Sequence, residues 1–137
     1  MKINQTTFYA MRILYRIHIE DDRVVTSKRI AEKEEISPGV TLRILREMSK
    51  AGLVHVHQGR GQICGGFSLA KSIDDITMAD VIETLEGMDI NSSKEKDIRE
   101  RDEPLYQICS RINDRLKELF SGYTIRRLFE TKEVDDT

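Results

Sequence analysis

Cysteine is scarce in this chain of 137 residues: Cys64 and Cys109 are the only two. They are too few for a disulfide framework, and their spacing is no metal motif. Reduced thiols in a cytoplasmic protein are the expectation. Long apolar runs are missing as well, and none approaches the length that spans a bilayer. The N-terminus lacks the apolar core and small-residue cleavage site of a signal peptide, so no membrane is expected among the partners. There is no internal repeat and no low-complexity tract. No nucleophile with a base, general acid–base pair or phosphate-binding glycine motif stands out, which argues against an enzyme. His18, His55 and His57 are scattered, and no further metal ligand accompanies the last two. Those two histidines read as phosphate contacts or plain surface residues.

Charge is present but unevenly spread. Residues 1–71 carry twelve Lys/Arg against seven Asp/Glu, whereas residues 72–137 carry ten against seventeen. A basic first half and an acidic second half suit one nucleic-acid surface plus a separate regulatory or pairing half.

The richest stretch lies between residues 26 and 69. Ser27, or alternatively Thr26, can cap a short helix, with Val25 placed to staple its start. Ile30 and Ala31 give that helix a small buried face, and Glu34-Glu35 fall at the following turn. Ser37-Pro38 then opens a second helix that runs to about Lys50 and stops at Gly52. At ~100° per residue, Leu42, Ile44, Leu45, Met48 and Ala51 share one arc, while Gly39, Arg43, Arg46 and Lys50 cluster opposite. Leu53 to Val56 alternates like a strand, Gln58-Gly-Arg-Gly-Gln62 turns, and Ile63 to Leu69 returns with a Gly65-Gly66 kink. This order predicts a winged helix-turn-helix, mainly α with a small β-hairpin wing.

A cation row on the second helix of such a motif points to the major groove of DNA. The candidate DNA contacts are Ser27, Lys28 and Arg29 at the first helix, then Ser37, Gly39, Val40, Arg43, Arg46 and Lys50 on the second. In the wing they are His57, Gln58, Arg60 and Gln62, with Arg60 at the tip, where a long cation reaches phosphate or the minor groove. The competing reading is a winged helix used as a protein-interaction module.

Two further helices frame the motif. Residues 7–18 are apolar on most sides, with Arg12 and Arg16 sharing a polar stripe. Residues 77–86 begin with a capping box, Thr77 with Asp80, and a staple, Ile76 with Val81; Gly87 ends that helix. From Pro104 a long helix carries Leu105, Ile108, Cys109, Ile112, Leu116, Leu119 and Phe120, spaced by three and four. Such a stripe outside a small core needs a cover. It is expected to pair with its symmetry mate as a homodimer reading paired half-sites; the plainer alternative is packing on the chain's own first helix. Lys132 to Thr137 read as a polar tail.

The ordered set of motifs resembles the Rrf-two family of bacterial winged-helix transcription regulators, which includes IscR, NsrR and CymR. The residues that carry the resemblance are Tyr9-Ala10, Ile30-Ala31-Glu32, Ile36-Ser37, Lys50 to Val54 and Arg60-Gly61. They continue with Gly65 to Lys71, Ile76-Thr77, Val81-Ile82 and Leu85-Glu86-Gly87. The resemblance implies a homodimeric regulator, expected to be a repressor of a palindromic operator. The implied organisation is a DNA-binding domain over 1–87, a loop over 88–103, and a dimerisation helix with tail over 104–137. Many members hold an iron–sulfur cluster on three cysteines of that loop. Here the loop contains neither cysteine nor histidine and offers hard oxygen donors such as Asp89, Glu95, Asp97 and Glu103, so no iron–sulfur cofactor is expected. Where members often carry Tyr-Leu-Glu, this chain has Val40-Thr41-Leu42-Arg43, and the operator of relatives does not carry over. An effector protein or a small molecule is the expected signal. A thiol or metal response is the alternative, with Cys64 in the returning wing strand as the candidate redox thiol.

Overall fold

The structure is a computed structural model that describes residues 3–60, 65–87 and 104–131. Among them, α1 (Gln5–Ile19), α2 (Ser27–Glu34) and α3 (Pro38–Lys50) precede a hairpin of β1 (Val54–His57) and β2 (Gly66–Leu69). α4 (Met78–Glu86), α5 (Pro104–Ser121) and α6 (Ile125–Glu130) follow.

Local chemistry sets most boundaries. The Thr26 hydroxyl accepts the Arg29 N–H at 3.1 Å and starts α2. Glu35 ends it in the left-handed region, φ 55°, where the Ile36 N–H returns to the Ala31 carbonyl at 3.0 Å. Ser37 accepts from the Val40 N–H at 3.3 Å, and Pro38 occupies a first-turn position whose amide would have no helical partner. Gly52, at φ 79°, lets the chain leave α3 so that the Leu53 N–H reaches the Met48 carbonyl at 2.9 Å. The capping box of α4 is complete, with Thr77 N–H to Asp80 at 2.9 Å and Asp80 N–H to Thr77 at 3.2 Å.

One apolar core joins these elements. Ile13 and Leu14 of α1, Ile30 of α2, Ile44, Leu45 and Met48 of α3, Val54 and Phe67 of the hairpin, and Val81 of α4 all belong to it. The buried arc of α3 differs from the expected one at two places. Ala51 is exposed because it is the C-cap, beyond the last helical turn, and Leu42 is half-buried. Thr41 points inward instead, with its hydroxyl donated to the Ser37 carbonyl at 3.0 Å.

The strands pair antiparallel, from Val54 opposite Leu69 to His57 opposite Gly66. The wing root is fixed to the segment before α2: Val25 and Phe67 exchange both backbone hydrogen bonds, at 2.9 and 2.8 Å. A Cβ at Gly66 would lie 2.6 Å from the Val25 carbonyl oxygen, so only glycine permits this approach. Residues 61–64, with Gln62 and Cys64, lie outside the described residues.

Beyond α5 the chain does not simply trail off. After a turn at Gly122, α6 returns to the core, and Ile125 is fully buried. The Ile125 N–H donates to the Ile76 carbonyl at 2.9 Å, and the Met78 N–H donates to the Tyr123 carbonyl at 2.7 Å. Phe129 stacks on Tyr15 of α1, with ring centroids 4.7 Å apart.

α5 rests against α4. The side it turns inward carries Asn113, which is buried. The expected apolar stripe points away from the chain: Leu105 is 69% exposed, Ile108 53%, Ile112 54% and Leu119 56%. Cys109 is exposed beside them, and Leu116 and Phe120 are half-buried.

Candidate nucleic-acid interface

α3 presents its outer face as a row. Gly39, Arg43, Arg46 and Lys50 are all exposed, opposite the buried Ile44, Leu45 and Met48. Ser37 is exposed and Val40 half-buried at the start of the same helix, where N–H dipoles favour an anion. Lys50 is the least free cation of the row, since its Nζ lies 3.6 Å from Glu47. In the wing, His57, Gln58 and Arg60 are exposed, and His57 Nε2 lies 2.7 Å from the Ser68 hydroxyl. On α2, Lys28 is exposed and Ser27 half-buried, while the Arg29 guanidinium is bound to Glu20 at 3.1 Å.

Three carboxylates that organise this surface escaped the sequence reading. Glu34 binds Arg12 at 2.9 Å and Arg16 at 2.6 Å, joining α1 to α2. Glu20 holds Arg29. Glu86, the last residue of α4, accepts from the Asn4 N–H at 3.3 Å and the Thr7 hydroxyl at 2.9 Å. It thereby ties the end of α4 to the start of α1. A cavity of about 290 Å³ lies beside that tie, lined in part by Asn4, Thr7, Arg43 and Glu86. The i,i+4 spacing of Arg12, Arg16 and Glu20 was a visible signal for the first network; Glu34 and Glu86 act over distances that spacing does not encode.

The Rrf2 family pattern, described as an iron-dependent transcriptional regulator, matches residues 3–131. The chain belongs to the Rrf2 family. A protein of Aquifex aeolicus that carries the name of an HTH-type transcriptional regulator is 36% identical over 83 residues. That alignment covers 61% of this chain and 56% of the relative, so the chain spans about half of that protein's length. Among solved structures, CymR of B. subtilis, the global cysteine regulator, is 25% identical with a TM-score of 0.68, covering 97% of this chain and 99% of CymR. T. potens IscR shares the fold with a TM-score of 0.69 at 21% identity, over 100% of this chain and 92% of IscR. The Rrf2 family and the Aquifex relative are regulators of transcription and not enzymes.

Iron enters with the Rrf2 description, and the donor set can be tested against it. Segment 88–103, the position of the cluster loop in Rrf2 relatives, lies outside the described residues, and its sequence contains no cysteine or histidine. Among the described residues Cys109 is the one cysteine, and no group of three His, Cys, Asp or Glu side chains is placed to hold a metal. The three-cysteine arrangement of cluster-bearing relatives has no counterpart in this chain.

Proposed function

We propose that this Rrf2 protein is a homodimeric, sequence-specific DNA-binding regulator that represses from a palindromic operator. The observation that carries the reading is the exposed Gly39–Arg43–Arg46–Lys50 row on the second helix of the turn motif, with Arg60 on the adjacent wing. In this reading α3 enters the major groove and Arg60 reaches the flanking backbone or minor groove. The half-exposed stripe of α5 supplies the second copy with a contact surface, and two copies present two recognition helices to two half-sites. Double-stranded DNA and a second copy are then the partners, and an effector protein or a small molecule is the signal.

Genome-wide footprinting followed by titration of the recovered operator tests this. An Arg contact to a base edge is worth about 1–3 kcal/mol, so Arg43→Ala/Arg46→Ala should lose most operator preference. Lys50→Ala should weaken binding to all sequences alike. Unchanged operator affinity in the double variant rejects the placement, and no salt-dependent duplex binding rejects the DNA reading in favour of an interaction module.

The same proposal excludes an iron–sulfur cluster bound in the manner of relatives. Anaerobically purified protein should be colourless, and a brown preparation with stoichiometric iron and sulfide would overturn this. For the thiol alternative, peroxide should alter operator affinity in the wild type and not in Cys64→Ser; an equal response in both removes Cys64 as the switch.

A further inference from the structure

Three cations counted in the basic half of the chain are already committed. Arg12 and Arg16 project from α1 one turn apart, and Glu34 at the end of α2 takes both. Arg16 Nη1 also lies 3.9 Å from one Glu20 oxygen, and the other Glu20 oxygen accepts from Arg29 Nε at 3.1 Å. Arg12, Glu34, Arg16, Glu20 and Arg29 thus alternate in sign without a break across the α1–α2 junction.

The two acids are the shielded members. The Glu34 side chain is 5% exposed and that of Glu20 is 9%, whereas Arg12 and Arg29 are 60% and 49% exposed. A shielded carboxylate stripped of its cations is strongly unfavourable, so each acid fixes where its arginines sit. Glu34 immediately precedes the left-handed Glu35, and the network therefore ends at the turn that aims α3.

Arg29 lies next to Lys28 on α2, the helix that in this motif crosses the DNA backbone. A free cation there releases a counterion on meeting a phosphate; one already neutralised by a shielded carboxylate has little left to release. We infer that Glu20 and Glu34 are positioning residues that lock α2 onto α1, and that Arg29 is a strut of this lock and not a phosphate contact. The inference rests on the DNA-binding reading above. It removes Arg29 from the expected contact surface and leaves Lys28 as the backbone-facing cation of α2.

The test is the slope of log affinity against log salt for the full chain on its operator and on unrelated duplex. Each phosphate neutralised contributes about 0.9 to that slope. Arg29→Gln removes the charge yet can still donate to Glu20, and it should keep the wild-type slope. Glu20→Gln frees Arg29 and should steepen the slope by about 0.9 while raising affinity for unrelated duplex. The double variant Glu20→Gln/Arg29→Gln should return to the wild-type slope. Circular dichroism and a melt identify any variant that fails to fold, and Arg29→Gln alone still decides the matter if Glu20→Gln does. A slope lowered by about 0.9 in Arg29→Gln, or one unmoved in folded Glu20→Gln, overturns the inference. Wild-type protein that binds no duplex DNA would instead overturn the function on which it rests.

Discussion

α3 and α5 are written in the same alphabet, with an apolar residue every three or four positions and charges between. Their outcomes are opposite. Ile44, Leu45 and Met48 of α3 are buried against α1, α2 and α4, whereas Leu105, Ile108, Ile112 and Leu119 of α5 are each more than half exposed. The inward position of α5 falls to a polar residue, Asn113. An amphipathic pattern specifies a face that wants covering, and it does not say whether the cover comes from the same chain. α3 is surrounded within a short span of sequence; α5 stands at the outer side of α4.

Truncation should separate the two helices most sharply. Leu45→Ala opens a cavity in a closed core and should cost about 2–5 kcal/mol in urea denaturation at low protein concentration. Ile112→Ala under the same conditions should stay within about 0.5 kcal/mol of wild type, because its side chain already meets water. Equal losses would mean that α5 is covered within one chain.

Ile112→Asp sharpens the comparison in the proposed dimer. A charge without a partner in the paired stripes should cost at least about 3 kcal/mol of association, roughly a hundredfold in Kd. Light scattering should report a folded monomer over a range where the wild type is dimeric. A persistent dimer would place the interface elsewhere.

A smaller effect is expected at the helix that supports α5. Thr77→Ala removes half of the capping box of α4 and should lower stability by about 1 kcal/mol, read as a shifted melting temperature with dimer mass unchanged.

The smallest concerns Asp74, next to the start of α4. Its hydrogen bond from Arg126, at 2.7 Å, holds its carboxyl below the usual value of 3.8. A depressed carboxyl stabilises the fold above the unfolded value and loses that contribution as pH falls through the folded one. Urea midpoints of wild type and Asp74→Asn should therefore differ slightly at neutral pH and converge below pH 3.8. Parallel curves down to the acid limit would remove the pairing as a source of stability. The effect stays small because both groups are solvent-screened.

What could be read in advance followed the range of each signal. Thr26, Ser37-Pro38, Gly52, Thr77 with Asp80, and Gly87 act on their own or adjacent turns, so α2, α3 and α4 were legible to within a residue or two. The outward row of α3 was legible for the same reason, because helical period alone fixes which residues share a side. α6 was not, since a six-residue helix with one buried position, Ile125, leaves no period to detect. The Glu34 and Glu86 ties were equally silent, as their partners lie on other helices. Ala51 fell outside the buried arc because the helix ends at Lys50, and Thr41 is buried in the first turn, where its hydroxyl is satisfied by the Ser37 carbonyl.

The Val25–Phe67 pairing makes the wing a lever with a pinned fulcrum. Arg60 lies beyond His57, and the strand bases are fixed to the segment before α2 and to the core. α3 is held by the turn at Glu35–Ser37 and by its buried side, which shares the core with Val54 and Phe67. The tip and the outer face of α3 are separate surfaces, so under the proposed DNA reading substitutions at the two should combine additively in their effect on binding. If the proposed DNA reading holds, a lineage built on this chassis can retune reach at the wing and sequence preference on the helix in separate steps, provided position 66 stays glycine.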